Sequence, residues 1–340
     1  MPGKTLGMLL AVTCLLSLTL TAVQAEEGTL LRFKFLPGQV ETYSLQVIGE
    51  GQMELLGLPN DREMKSPLKI EMSLPLDLIT DEVDEQGHAR LRAHLGALDM
   101  RVIVAGHNIH TVMNPAAGTV TVTADGNVLP IPAGWVLPIQ GLENMVVTLT
   151  PQGQLAGVEG LEQLPAVMTM GLMGGVNREQ MLALMQGQAP LLSENPVRPG
   201  DSWEQTLTFP WPEDKPTTAV TTYTFQELET VDGEPLARLA LTSSLELRDV
   251  PLPEQVSPTG ASGAAGPPPG GKSRNLLNLL RVDSSGEITL PLEGGYLHSA
   301  DLDVTLNLET TRATSQDPQA SARKMLLKDL RLKYRLTPRY

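Results

Sequence analysis

The 340-residue chain is acidic, with a formal net charge of −14 at pH 7, which argues against a nucleic-acid-binding protein. Its single cysteine, Cys14, lies near the N-terminus, so disulfides and thiol chemistry are excluded from the rest of the chain. Aromatic residues make up only 4%, so aliphatic side chains and methionine must fill the interior. The length suits one large or two medium domains.

Residues 1–25 have the features of a signal peptide. Lys4 precedes an apolar stretch, and Val23-Gln24-Ala25 fits the small-x-small rule for cleavage before Glu26. The alternative is an uncleaved membrane anchor, but the apolar run is short for a span of about 20 residues. Cys14 lies inside the apolar stretch and not at its end, which argues against a lipoprotein. We therefore expect an exported protein with no transmembrane segment after cleavage.

Alternating apolar and polar residues dominate the mature chain and predict antiparallel β-sheet with one dry and one wet face. The clearest segments are Ile70–Leu78, Ala89–Ala97, Ala237–Leu247 and Ala300–Leu308. Gly, Asp and Asn between such segments favour tight turns. Turns are predicted at Asp84–Gly87, Ala124–Asn127, Pro151–Gly153, Asp232-Gly233 and Asp283–Gly286.

Two related β units, 26–160 and 196–340, are suggested by similar landmarks in the same order. Pro37-Gly38 corresponds to Pro199-Gly200, and Val147–Val158 corresponds to Leu280–Leu292. Duplication of a β unit would explain this order, although any meander of strands has some self-similarity.

The segment 161–195 between the units is predicted to be a helical insert. Asn177 can cap a helix over Arg178–Gln186, and glycines separate this helix from residues 161–173. Methionines are concentrated here and form the candidate ligand-binding set, because flexible thioethers make adaptable surfaces for apolar ligands. The alternative is that they only plug the end of a sheet. The set is Met168, Met170, Met173, Met181 and Met185.

Two segments of the second unit have unusual compositions. Pro251–Ser273 is rich in Pro, Gly, Ala and Ser and is predicted to be a flexible loop. Met325–Leu336 is predicted to be a final strand that alternates leucines with Arg331, Lys333 and Arg335. Its charges are explained either as protection of an edge strand or as a basic face for an anionic lipid or envelope polymer.

Catalytic and metal-binding patterns are weak. His107-Asn108-Ile109-His110 has the spacing of metal ligands but is interpreted as a polar loop, and Asp81–Glu85 as an acidic hairpin turn. The sequence contains no nucleophile elbow, phosphate-binding loop or dinucleotide fingerprint. We therefore expect no enzyme, no cofactor and no metal. A hydrolase with a site built from distant residues is the remaining catalytic alternative.

The segment Pro196-Val197-Arg198-Pro199-Gly200-Asp201-Ser202-Trp203 resembles a family of uncharacterised bacterial exported β-rich proteins. Members are similar in having a signal peptide, an early strand pair like Leu30–Val47 and a hairpin like Val147–Gly160. The resemblance implies a periplasmic or extracellular place in a bacterial envelope, but no activity, cofactor or catalytic residue. More loosely, the predicted architecture looks like envelope lipoprotein and lipid-carrier folds.

Together these observations predict a mainly β protein. It would have two related antiparallel units, forming a curved sheet or partly open barrel, with a short helical insert between them. The predicted function is non-catalytic binding of an apolar or lipid-like ligand between the sheets and the insert. The alternative is a structural or protein-interaction component of the envelope with no ligand cavity. Expected partners are therefore a lipid-like ligand or an envelope protein, and not nucleic acid.

Overall fold

The computed structural model describes residues 28–58, 62–130, 145–160, 190–209, 217–252, 273–314 and 323–339. These residues form fifteen β-strands and no helix, which confirms the mainly β prediction. The predicted helical insert lies outside the described residues as far as 189, and residues 190–195 are not helical. The strands are β1 (Val40–Leu58), β2 (Arg62–Val83), β3 (Ala89–Leu95), β4 (Leu98–Val104), β5 (His107–Asn114), β6 (Thr119–Ala124), β7 (Asn127–Leu129), β8 (Val146–Leu149), β9 (Leu155–Glu159), β10 (Ser202–Phe209), β11 (Thr217–Val231), β12 (Glu234–Leu252), β13 (Ser273–Pro291), β14 (Ser299–Thr314) and β15 (Arg323–Pro338).

All fifteen strands belong to one antiparallel sheet. Its main path runs β10-β11-β12-β13-β14-β15-β1-β2-β4-β5-β6-β7, and a branch of β3, β8 and β9 leaves from β2. In the described part of the chain the path has two ends, β10 and β7, so the sheet does not close on itself. The last strand, β15, pairs with the first, β1. This pairing joins the strands before residue 160 and those after residue 200 in a single sheet.

The branch exists because β2 is long enough to serve two partners. Its residues Leu68–Ser73 pair with β4, whereas Leu76–Val83 pair with β3. Between these stretches Gly96 donates its N–H to the Pro75 carbonyl at 2.8 Å. A Cβ at Gly96 would lie 2.7 Å from the Pro75 Cβ, so only glycine allows the chain to turn from β3 into β4 this close to β2.

The main core lies at one end of the long strands and not at an edge of the sheet. Its side chains are 0–8% exposed. It combines an N-terminal segment carrying Leu31, Phe33 and Phe35 with residues of β3 and β8 and with residues of β11, β12 and β13. Four strands, β14, β15, β1 and β2, separate these two groups along the sheet. The sheet must therefore bend around the core, and the face that carries the core is the inside of the bend.

The alternation predicted for β2, β3, β12 and β14 is confirmed, because these segments are strands. The turn predicted at Asp283–Gly286 is wrong: these residues lie inside β13 and pair with both β12 and β14. Pairing with two long neighbours overrides the local preference of small polar residues for a turn. Gly286 is required there, since a Cβ would contact the Asp301 carbonyl oxygen.

The explanation of the final basic strand as an edge strand is also wrong. β15 lies between β14 and β1 and is paired on both sides. Its charged side chains form ion pairs with neighbouring strands: Arg335 Nη2 lies 2.9 Å from Asp301 Oδ2, and Lys328 Nζ lies 2.9 Å from Glu54 Oε2. The charges therefore link strands across the sheet.

Candidate ligand-binding face

The inside of the bend continues from the core as an apolar surface, which we call the inner face. Cross-strand partners in a sheet project from the same side, so the strand register defines which residues lie on this surface. One row of register partners crosses seven strands, from β13 to β5, without a charged residue. This row consists of Ser284, Val304, Leu332, Gly49, Ile70, Val102 and Ile109.

Parallel rows towards the core and away from it are equally apolar. The row nearer the core contains Leu302, Tyr334, Val47, Met72 and Met100. The rows further from the core include Leu245, Val282, Leu306, Leu308, Leu327, Met53 and Leu55. Leucine, isoleucine, valine and methionine thus form a continuous hydrocarbon surface.

Beyond the core, the inner face contains both half-buried side chains and buried ones such as Leu68 and Leu330. Val102, Val304, Ile70 and Leu332 are all of intermediate exposure, in contrast to the nearly inaccessible core side chains. A second buried cluster, Leu247, Val250 and Leu277, draws only on β12, β13 and β14. Within the described ranges, that cluster forms inside the sheet and contains no covering segment.

The described strands give the inner face a large area. Nine strands from β12 to β6 span about 40 Å at the ordinary strand spacing, and the eight residue steps from Val47 to Leu55 span about 26 Å. These spans enclose a sheet area on the order of 1,000 Å², of which the half-exposed side chains present only a part to solvent. Apolar side chains that stay half-exposed in adjoining rows are typical of an interaction site.

The polar groups on the inner face are few and neutral. Ser66 accepts a hydrogen bond from the Ala105 N–H at 2.5 Å and donates one to the Pro67 carbonyl. Burial raises the pKa of the Tyr334 phenol, which keeps it protonated. The rows named above can contact hydrocarbon and carry no carboxylate or imidazole. The pair of His107 and Asp125 lies at the margin of this face, where His107 is the register partner of Val104.

The outer face carries the charge. Carboxylates of β14 pair with cations of β15, and a shallow groove of about 430 Å³ crosses β1, β2 and β4. The groove is lined on this face by Gln46, Ile48, Glu71, Ser73, Asp99 and Arg101. It is open to solvent along its length, and Ile48 within it is 56% exposed.

The histidine segment is a strand and not the predicted loop, since β5 begins at His107 and includes His110. Each has an acidic neighbour from elsewhere in the sequence: His107 Nδ1 lies 2.7 Å from Asp125 Oδ2, and His110 Nε2 lies 3.0 Å from Asp99 Oδ1. These are pairs. Among the described residues no three His, Cys, Asp or Glu side chains are grouped to hold a metal ion.

The acidic hairpin turn is confirmed, although β2 continues to Val83 and the turn begins at Asp84. The Asp84 carboxylate accepts hydrogen bonds from the backbone N–H groups of Gln86 and His88 at 2.9 and 2.8 Å. These bonds lower the Asp84 pKa against the opposing effect of desolvation. The Asp84 carboxylate therefore stabilises the turn through these backbone hydrogen bonds.

A buried polar cluster near the core was not predicted from the sequence. The Glu41 carboxylate accepts the Tyr296 N–H at 3.0 and 3.1 Å, and the Tyr43 hydroxyl donates to the Leu297 carbonyl at 2.6 Å. Burial raises the pKa of Glu41 and that of Tyr43. Both side chains form hydrogen bonds with backbone groups of the segment 292–298, so the cluster fixes that segment to β1.

The five methionines predicted to bind a ligand, Met168, Met170, Met173, Met181 and Met185, lie outside the described residues. The described part of the inner face is built from strand residues whose dry side the alternation indicated. What local pattern could not indicate is that much of this side stays half-exposed, because that depends on which segments pack over it.

No helix in the described ranges is long and apolar enough to cross a membrane.

No protein-family model matches the chain, and no curated protein matches it. A structure of lipovitellin, described as showing lipid–protein interactions, is 14% identical over 90% of this chain, with a TM-score of 0.41. The aligned part is 25% of the lipovitellin chain. OpdL of Pseudomonas aeruginosa is 8% identical over 89% of this chain and 99% of its own, with a TM-score of 0.18. Both TM-scores are too low to support a conclusion about fold or function.

Proposed function

We propose that the protein is an exported, non-catalytic binding protein that holds an apolar or lipid-like ligand on the inner face of its bent sheet. The observation that carries the proposal is a row of half-exposed apolar side chains that crosses the inner face without a charged residue and includes Val304, Leu332, Ile70 and Val102. The signal-peptide pattern of residues 1–25 supports export. The class of ligand is the one predicted from the sequence.

Hydrocarbon burial sets the kind of ligand that the inner face can retain. Each buried methylene contributes about 0.8 kcal/mol, so about 14 methylenes contribute about 11 kcal/mol. Association itself costs about 4–15 kcal/mol. Long acyl chains should therefore bind, whereas ligands with only a few methylenes should not.

The test compares neighbouring residues that lie on opposite faces of the same strand. Val102→Glu and Val304→Glu place a charge on the inner face, and Ile103→Glu and Thr305→Glu place it on the outer face. The expected result is that the inner-face variants lose binding of a fluorescent long-chain probe by at least about tenfold, because an unpaired charge opposes contact with hydrocarbon. The outer-face variants should bind as the wild type does.

Native mass spectrometry of protein purified from its host provides an independent readout, with bound lipid as the expected result. Absence of both co-purified lipid and probe binding would contradict the proposal. Equal effects of inner-face and outer-face charges would contradict the assigned surface.

A second function, a structural or protein-interaction component, is favoured by the ends of the sheet. In the described residues β10 pairs only with β11, and β7 pairs only with β6. Val128 of β7 is 71% exposed, and unpaired strand edges can add a partner strand. Val128→Lys should then abolish a complex seen by size-exclusion chromatography with light scattering. A monomer that is unchanged by this substitution would argue against an assembly through β7.

A further inference from the structure

The row of register partners that crosses the inner face without a charged residue continues beyond Ser284, where its side chains become polar. Ser284 of β13 pairs with Ser243 of β12, which pairs in turn with Thr221 of β11. Thr221 pairs with Gln205 of β10. These four residues, which we call the polar row, are neutral and can form hydrogen bonds. The same line across the sheet is therefore polar from β10 to β13 and apolar from β14 to β5.

Side-chain contacts place the polar row on the inner face. Thr221 Oγ1 donates a hydrogen bond to Ser243 Oγ at 2.9 Å, so these two side chains project from the same side of the sheet. The Tyr223 hydroxyl donates to Gln205 Oε1 at 2.9 Å. Because Tyr223 belongs to the main core, the polar row lies on the side of the sheet that carries the core.

The two serines of the polar row can still form hydrogen bonds with a ligand. Ser243 accepts a hydrogen bond from Thr221, and its own O–H remains a donor. No described residue forms a side-chain hydrogen bond with Ser284. Both serines are of intermediate exposure. Each hydroxyl can therefore reach a ligand that lies on the inner face, and a hydroxyl can bind either a hydroxyl or a carbonyl group.

The surroundings of these serines carry no charge on the inner face. The neighbouring rows place Leu241 and Gly286 on the side nearer the core, and Leu245 and Val282 on the other side. An ionised ligand group bound among these residues would have no cation as a partner. Burial of an unpaired charge costs far more free energy than burial of a neutral group that forms hydrogen bonds. The polar row therefore favours a neutral polar group.

We infer that the polar row binds the hydroxyl or ester groups of a neutral lipid whose hydrocarbon chain lies on the apolar part of the same row; this inference rests on the proposed function. Six strand spacings separate β13 from β5, or about 29 Å along the sheet. An acyl chain occupies half of a hydrocarbon core of about 30 Å, or about 15 Å. One chain can therefore extend from the serines along the apolar part of the row.

The experiment uses the mature full-length chain and diphenylhexatriene, an apolar fluorophore without hydrogen-bonding groups that fluoresces in a hydrocarbon environment. 1-Monomyristoylglycerol and myristate then compete with it in neutral buffer, and samples without protein correct for fluorophore taken up by the lipid alone. The two competitors have the same chain and differ in their headgroup. The wild type should bind diphenylhexatriene and release it at a severalfold lower concentration of monomyristoylglycerol than of myristate.

The variant Ser243→Ala/Ser284→Ala removes two hydroxyl groups of the polar row. It should raise the concentration of monomyristoylglycerol needed for half-displacement about tenfold, the effect of two neutral hydrogen bonds of ordinary strength. Binding of diphenylhexatriene and its displacement by myristate should stay unchanged, because neither depends on these hydroxyls.

A matched control changes the next serine of each strand. Ser244→Ala/Ser285→Ala alters two exposed residues that project from the outer face, so this variant should behave as the wild type does with all three ligands. Thermal melting of both variants establishes that they are folded.

The outcomes separate this inference from the proposed function. If Ser243→Ala/Ser284→Ala binds monomyristoylglycerol as the wild type does, or if both pairs of substitutions weaken its binding equally, the assignment of the headgroup to the polar row is wrong and hydrocarbon binding on the inner face stands. If myristate displaces the fluorophore at the lower concentration, the ligand is an anion and the neutral assignment is wrong. If diphenylhexatriene is not bound, the proposed function fails and this inference fails with it.

Discussion

Two opposing effects act on the pKa of the Glu41 carboxyl group. Burial raises its pKa, whereas the hydrogen bond from the Tyr296 N–H lowers it, and burial is the larger effect. The folded protein therefore binds this proton more tightly than the unfolded chain does. Glu41 consequently contributes most to stability in acid, and this contribution is lost as the pH rises through its raised pKa.

Substitution of Glu41 by Gln should alter stability in a pH-dependent way. The amide oxygen can accept the Tyr296 N–H, but the amide never becomes charged. The stability of Glu41→Gln relative to the wild type should therefore increase between about pH 4 and about pH 8, as measured by urea unfolding.

Asp283→Asn is the control of opposite sign. The pKa of Asp283 is lowered by hydrogen bonds from Arg281 and Ser244, so its carboxylate stabilises the fold at neutral pH and loses that effect in acid. Asp283→Asn should therefore become less stable relative to the wild type over the same range of pH. A parallel response of the two variants would show that Glu41 is not the source of the predicted dependence.

Local pattern identified the strands of the sheet but not their neighbours. Period-two alternation indicated β2, β3, β12 and β14 because the side-chain period of a strand belongs to the segment itself. The position of β15 depends instead on pairing between Leu45 and Leu336, which are distant in sequence. Its alternating charges could not distinguish an edge strand from an interior strand whose cations meet carboxylates of β14.

The sequence predicted which apolar residues contribute to the candidate site, but not how exposed they are. The dry positions of Ile70–Leu78 and Ala300–Leu308 were evident in the sequence, and they do contribute to the inner face. Whether a dry face is covered depends on the packing of distant segments. At the core end, Phe33 and Leu91 cover it, while Val102 and Val304 remain half-exposed.

The substitution Gly286→Ala tests how closely β13 packs against its neighbouring strand β14. A Cβ at this position would contact the Asp301 carbonyl oxygen and the Leu302 Cα at 2.8 Å, and these are backbone atoms of a paired strand. Gly286→Ala should therefore destabilise the fold by about 1–3 kcal/mol through overpacking, measured by urea unfolding.

The matched control for this substitution is another strand glycine with open surroundings. A Cβ at Gly157 in β9 would meet nothing nearer than the Thr148 Oγ1 at 3.8 Å. Gly157→Ala should be neutral or slightly stabilising, because alanine loses less backbone entropy on folding. Equal destabilisation at both positions would mean that backbone freedom, and not the approach of β14, requires glycine at 286.

For the whole molecule, one sheet and one core imply one unit of folding. β15 pairs with β1 along thirteen register partners, and the core joins Phe33 and Leu91 to Phe225 and Leu239. Neither the strands before residue 160 nor those after residue 200 can bury these side chains alone. Each half separately would also expose one unpaired edge of a long strand, β1 or β15, to aggregation.

The chain should therefore unfold in a single cooperative transition. Tryptophan fluorescence reports on Trp203, which stacks on Tyr223 at 5.8 Å, once Trp135 and Trp211 are replaced by phenylalanine. Far-ultraviolet circular dichroism reports on all strands. The two unfolding curves in urea should coincide, as two-state behaviour requires. Fragments 26–160 and 196–340 should each be insoluble or unfolded when expressed alone, and soluble when expressed together, because association restores the β1–β15 pairing and the shared core. Two separate transitions, or a fragment that is folded and monomeric alone, would show that the halves are independent units that merely abut.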